Sequence, residues 1–217
     1  MKALIAVGTG RYADPWHRFA DNARRVAGIL SSDGWLVELD EDVDRAMTRL
    51  DDVDLLVVSA GDPWGKGERS FSAPQTSVTG LADAVARGIG VIGLHAAAAS
   101  LRDYPSWGET LGGIWVPEAS THPEISESKV SVCAHPLTAG IGEFSIFDEM
   151  YSDLQPIGDR TTLATHTWDG RTHPLVWLRE KGAARVAYDA LGHDLASYDS
   201  PEHVVLLRRL ARWAAKT

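Results

Sequence analysis

The chain has 217 residues, 44% hydrophobic and 24% charged, which is enough for one substantial buried core. A formal net charge of −9 argues against a nucleic-acid backbone or an anionic membrane as partner, because both reward clustered Lys and Arg. A small neutral or polar ligand fits better, and the single cysteine, Cys133, excludes an internal disulfide and argues against a thiolate zinc site.

In chain order the first half alternates strand and helix. No long apolar leader follows Met1, so a cytoplasmic location is expected. Residues 3–7 form an apolar run ending in Gly8-Thr9-Gly10, which reads as a buried parallel strand and its loop. Phe19, Ala23, Val26, Ala27 and Leu30 recur at helical spacing, and Asp33-Gly34 closes that helix. Residues 35–39 and 55–58 read as the next two strands, the latter followed by the loop Ser59-Ala60-Gly61-Asp62-Pro63. The Gly-, Ser- and Pro-rich span 65–79 reads as a surface loop, and residues 81–87 as a helix.

Val91 and Ile92 then make a buried strand that ends at His95 and passes into the alanine run 96–99, which favours helix. A side chain at such a turn stands above the carboxyl edge of the sheet, where open α/β folds bind ligands. Imidazole there suits proton transfer or metal ligation better than a stable acyl link. Beyond residue 100 the pattern becomes β-rich, with strand candidates at 129–133, 144–154, 161–167, 175–178 and 185–188. Ser200-Pro201-Glu202 supplies a cap, a first-turn proline and an acidic first turn for a terminal helix carrying Val204, Leu207, Ala211 and Ala214 on one face. No repeat or linker splits the chain, so one domain over residues 1–217 is expected.

A further series of motifs runs along the chain: Gly93-Leu94-His95-Ala96-Ala97, Trp107 with Leu111-Gly112-Gly113, His135-Pro136-Leu137-Thr138, Phe147-Asp148-Glu149-Met150-Tyr151, His173-Pro174-Leu175-Val176-Trp177, Arg185-Val186-Ala187-Tyr188 and Leu191-Gly192-His193-Asp194. Their order and spacing resemble the trehalose-utilisation, or ThuA-like, family. The resemblance spans nearly the whole chain. It implies an α/β, flavodoxin-like fold of the class I glutamine amidotransferase type: a mostly parallel sheet flanked by helices. It also implies a role in breaking down trehalose or other disaccharides and their keto derivatives, and a homodimer. The amidotransferases carry a cysteine at the elbow where this chain has His95, so glutamine hydrolysis through a thioester is not expected.

His95, His193 and Glu149 are the candidate catalytic residues: two imidazoles to exchange protons and a carboxylate to orient or share that work. The plainer alternatives are a strand-end histidine bonded to backbone and a salt-bridged surface glutamate. His17, Asp62, Trp107, His173, Trp177 and Tyr188 are candidate substrate contacts, although Asp62, like Asp14, also fits a helix or turn cap. Trp107, Trp115, Trp168 and Trp177 fall near cleft loops, where indole faces stack on sugars; Trp35 and Trp213 read as packing residues. His135 reads as structural, His122 as ligand, dimer contact or loop residue, and His166 and His203 as surface residues. A divalent ion held by His95, His193 and Glu149 is a variant, but no His-x-x-x-His spacing supports it, and a cofactor-free site is the reading taken. Gly8-Thr9-Gly10 is too short a glycine signal for an FMN phosphate cradle. A non-catalytic sugar-binding or regulatory protein that keeps the amidotransferase-like cleft is the alternative to an enzyme.

Overall fold

A long apolar run buries a strand on both faces, and four such runs build the centre of this molecule: β1 (Lys2–Val7), β3 (Leu55–Ser59), β4 (Gly90–Leu94) and β11 (Ala184–Asp189). The structure is a computed structural model that describes residues 1–65, 67 and 71–217. With the edge strand β2 (Leu36–Asp40), these four form a parallel array in the order β2-β1-β3-β4-β11. Because the chain runs outward from β1 to β2 and then back across to β3, the order reverses at β1/β3, the place where such sheets open a ligand crevice.

The β-rich second half extends the same sheet with antiparallel strands: β10 (Arg171–Lys181), β9 (Thr161–Trp168), β6 (Ser126–Val132) and β7 (Phe144–Asp148). Nine strands thus form one sheet, and a two-stranded ladder of β5 (Gly113–Ile114) and β8 (Gln155–Pro156) lies beside it. This is a single α/β domain on one mixed sheet, whose five-stranded parallel half and flanking helices match the expected fold.

Helices α1 (Phe19–Ser32) and α5 (Pro201–Ala214) pack on each other and on the parallel strands. Helix α5 lies so close over β4 that a Cβ added to Gly90 would stand 2.7 Å from the backbone of Ala214. Gly93 points to the other face, where its missing Cβ makes room for Leu111 of α4 (Trp107–Leu111). Ser200 caps α5 by accepting from the His203 N–H, as its Ser-Pro-Glu start predicts.

Several expectations are corrected. Helix α3 (Gln75–Arg87) starts six residues before Leu81, inside the span read as loop; Lys66, Glu68, Arg69 and Ser70 of that span lie outside the described residues. A short helix, α2 (Val43–Ala46), was not foreseen, although its start is signalled by Asp42, whose carboxylate accepts from the Arg45 N–H. The alanine run after His95 forms a single 3-10 turn (His95–Ala98) rather than an α-helix.

His166 and His203 are buried, not on the surface, because each has polar partners inside. His166 Nε2 meets Ser152 Oγ and the Tyr151 carbonyl at 3.1 Å. His203, fully enclosed with Asp189, contacts that carboxylate at 2.9 Å through Nε2 and Ser197 Oγ at 3.1 Å through Nδ1. Burial opposes the charged imidazole, but the Asp189 carboxylate outweighs it and His203 titrates above its usual value.

Replacing His203 by Asn strands the buried Asp189 charge and is expected to cost about 3–5 kcal/mol in urea unfolding. The raised value means the pair stabilises the fold fully below the unfolded pKa of 6.5 and loses that contribution as pH rises through the folded value. Unfolding curves at increasing pH should show the loss in the wild type; a variant with the same slope would mean another group is responsible.

Candidate active site

The site is built at the carboxyl edge of the sheet from five separate loops. His95 ends β4 with a φ of 41°, a left-handed conformation that a side-chain-bearing residue adopts only when its surroundings enforce it. Its carbonyl accepts from the Tyr188 hydroxyl at 2.7 Å, and its ring Nδ1 lies 2.6 Å from the Ala190 carbonyl. A carbonyl can only accept, so Nδ1 carries the proton, and in the neutral tautomer this selects, Nε2 presents a lone pair toward Glu149 and His193.

Three further groups gather around that nitrogen. Glu149, directly after β7, places Oε2 3.2 Å from His95 Nε2. His193, in the loop after β11, places Nδ1 3.3 Å from His95 Nε2 and 3.4 Å from Glu149 Oε2. His17, between β1 and α1, lies with its ring centre 5.1 Å from that of His95 and 4.8 Å from that of His193. One donor atom from each of these four residues lies within 4.8 Å of the others. His122 contacts the second oxygen of Glu149 at 3.2 Å.

The electrostatics follow from this crowding. Burial alone would raise the Glu149 carboxyl, but the hydrogen bond from His193 and the neighbouring imidazoles of His95 and His122 hold it well below the usual carboxylate range. The hydrogen bond to Glu149 in turn lifts His193 above the ordinary imidazole value. Burial lowers His17 despite Asp14, whose carboxylate stands 2.8 Å from His17 Nδ1. Behind the cluster, the buried Asp148 carboxylate accepts from the backbone N–H of Gly192 at 2.7 Å and of His193 at 3.0 Å, and from Ser197 Oγ at 2.6 Å. It thereby ties the β7 end that carries Glu149 to the loop that carries His193.

Above the cluster opens a cavity of about 520 Å³, with His17, Glu149 and His193 in its lining. Trp16, Trp115, Pro117, Ile125 and Tyr151 give it apolar walls, and Asp14, Asp62 and His122 add polar edges. The Tyr151 ring packs 4.1 Å from that of His95 and 4.7 Å from that of Trp115. Asp62 does both things considered for it: it accepts from the Trp64 N–H in a turn, and it lines the cavity while paired with Arg102 at 2.9 Å.

The trehalose-utilisation family, ThuA, matches residues 2–214. The chain belongs to the ThuA family. That membership ties it to carbohydrate use. A ThuA-like protein from Parabacteroides merdae superposes with a TM-score of 0.81 at 21% identity, covering 99% of this chain and 89% of that one. A protein described as cytoplasmic from Salmonella typhimurium follows at 0.68 and 14% identity, with 99% of each chain covered. A glutamine amidotransferase from Thermotoga maritima reaches 0.61 at 11% identity over 100% of this chain and 98% of that one, so the amidotransferase-like fold is shared. No curated protein matches the sequence significantly.

In this ThuA chain His95, Glu149 and His193 converge; Glu149, His193, His17 and Asp62 line the cavity, and His95, itself 2% exposed, lies directly beneath them. Trp107, Trp177, Tyr188 and His173 do not, and their substrate-contact assignment is corrected. Each of the four is at most 4% exposed. Trp107 Nε1 donates to the Ala97 carbonyl and Trp177 Nε1 to the Leu111 carbonyl, while Tyr188 supports His95 from below. These aromatics satisfy backbone groups beneath the elbow and have no face left for a sugar. His173 packs on His166, accepting from the Asp153 N–H through Nδ1. Trp168 also lies on that side, against His173, whereas Trp115 does line the cavity.

Sequence reading left His122 undecided and passed over Tyr151 and Asp148, although both belong to the motif around Glu149. An acidic residue three positions before His17, in the arrangement of an Asx turn, was the available signal for the Asp14–His17 pair. Changing Asp148 to Ala leaves buried N–H donors without a partner and is expected to destabilise the fold by about 1–3 kcal/mol in chemical denaturation. The His193 imidazole resonances should shift at the same time; if they stay fixed, Asp148 does not position that loop.

Proposed function

We propose that this protein is a carbohydrate-active enzyme that moves a proton next to the carbonyl of a keto-sugar, a keto derivative of a disaccharide being the substrate class. The observation that carries this reading is the convergence of His95, Glu149 and His193 at the foot of a cavity with apolar walls and polar edges. A keto group acidifies the neighbouring C–H, and a base and an acid about one hydrogen bond apart are what its enolisation needs. The C–H proton passes by way of Glu149 Oε2, which lines the cavity, to His95 Nε2 3.2 Å behind it, the electron pair moves onto the carbonyl oxygen, and that oxygen takes a proton from His193. The product is an enediol, ready for isomerisation or elimination, with no change of oxidation state. Glu149 holds both imidazoles in place and favours the charged form of His193.

Membership of the trehalose-utilisation family supports the sugar, and the Trp115 and Trp16 indoles at the cavity give it stacking surfaces. The reading includes a cytoplasmic location, as for the Salmonella neighbour, and a homodimer, with no nucleic-acid or membrane partner. No helix among the described residues is long and apolar enough to cross a membrane.

Incubation of the purified protein with trehalose and with 3-keto-trehalose, followed by NMR, tests the proposal. Turnover of the keto-sugar is expected, with a loss of about 10²–10⁴-fold in His95→Ala. Saturable binding of the sugar without any turnover would instead favour a non-catalytic sugar-binding protein.

A further inference from the structure

We infer that His17, His95, His193 and Glu149 form a binding site for one divalent transition-metal ion of the zinc class. The inference rests on the proposed function for the position of the working centre, and not for its substrate. Three of the donor–donor distances are 3.2, 3.3 and 3.4 Å, those linking His95 Nε2, His193 Nδ1 and Glu149 Oε2. Metal–ligand bonds of about 2.0–2.1 Å in a tetrahedron require donor–donor edges of about 3.3–3.4 Å, so these three atoms already span one face of such a site.

The fourth vertex has its own evidence. His17 Nε2 is buried and has no hydrogen-bond partner. Its other nitrogen faces the Asp14 carboxylate, which holds the proton on Nδ1 and leaves Nε2 as the free donor atom that His17 offers to the four-residue cluster. The same logic applies to His95, whose Nδ1–H is spent on the Ala190 carbonyl. Carboxylate–histidine and carbonyl–histidine pairs of this kind fix ring and tautomer in metal sites. Glu149 is braced in turn by His122 on its other oxygen.

Three imidazoles and a carboxylate suit zinc and its first-row neighbours and are a poor set for magnesium or calcium, which take oxygen ligands. Together with Asp14 behind His17, the donor set carries two negative charges, matching a dication. An ion here would take the electrophilic role that the proton on His193 plays in the metal-free centre, polarising the carbonyl oxygen of the sugar. His122 would then be the imidazole at the cavity left to carry a proton.

The test uses the full chain, stripped with EDTA and freed of chelator. Zinc is titrated in competition with a colorimetric chelator, and cobalt is followed by its visible absorption. One equivalent per chain is expected, with the intense visible bands of four-coordinate cobalt. Glu149→Gln and His193→Gln should weaken zinc at least about 100-fold, and Asp14→Asn, which touches no ion, by about 10–100-fold. Circular dichroism checks that the variants fold. Independently of any variant, zinc should shift the Nε2 resonances of His17 and His95 and the Nδ1 resonance of His193 in the wild type.

Unshifted imidazole resonances, or equal zinc affinity in wild type and Glu149→Gln, would overturn the inference. Keto-sugar turnover by protein that takes up no zinc at these residues would also overturn the inference, and would leave the proposed function standing. Stoichiometric zinc binding through these histidines without sugar turnover would support the metal site while removing the sugar.

Discussion

The site depends on one constrained residue. His95 sits at a φ of 41°, in a region that costs of order 1–3 kcal/mol for a residue with a side chain. What enforces it is the layer beneath: Tyr188, wholly buried in β11, holds the His95 carbonyl, and the strand end at Ala190 holds its ring. Trp107 and Trp177 brace the neighbouring backbone in the same way. The turn carries the imidazole out of the strand, and the Ala190 contact fixes which of its nitrogens faces Glu149 and His193. An alanine at this position would relax the turn and remove the group around which Glu149, His193 and His17 gather.

The antiparallel half of the sheet matters for the same reason. The parallel strands alone deliver His17, Asp62, His95 and His193 to their carboxyl edge. Glu149 arrives from β7, last in the strand order, whose final residue, Asp148, is bonded to the loop after β11. Asp148 makes that approach durable. Its two oxygens take the backbone of Gly192 and His193 and the hydroxyl of Ser197, so Glu149 and the imidazole opposite are held by adjacent bonds to one buried carboxylate. Ser197 then connects to His203 and Asp189, which anchors the same loop to α5.

Much of this was legible in the sequence because it is written in local patterns. The buried runs of β1, β3 and β4, the glycines around His95 and the Ser-Pro-Glu start of α5 each follow from short-range chemistry. So does the placement of His95 and His193 after strands, which put both at the carboxyl edge. What was not legible depends on partners far along the chain. A tryptophan next to a cleft loop and a tryptophan bonded to a carbonyl beneath it read alike in sequence; Trp115 proved to be the first kind, and Trp107 and Trp177 the second. His203 read as a surface residue because its partner, Asp189, sits in another element. The four-residue cluster has no compact spacing, since its members come from loops at residues 17, 95, 149 and 193, so no short motif announces it.

That dispersal has a thermodynamic consequence. The first and last members of the cluster enter from the opening strand–helix unit and from the loop before the closing helix, so the cavity floor exists only when both ends of the chain are docked. Anything that binds there acts as a clasp on the whole domain, adding its binding free energy to the global folding equilibrium rather than to one loop. Occupancy and cooperativity of unfolding are therefore coupled in this protein, and the binding event is legible in its melting behaviour even before its chemistry is known.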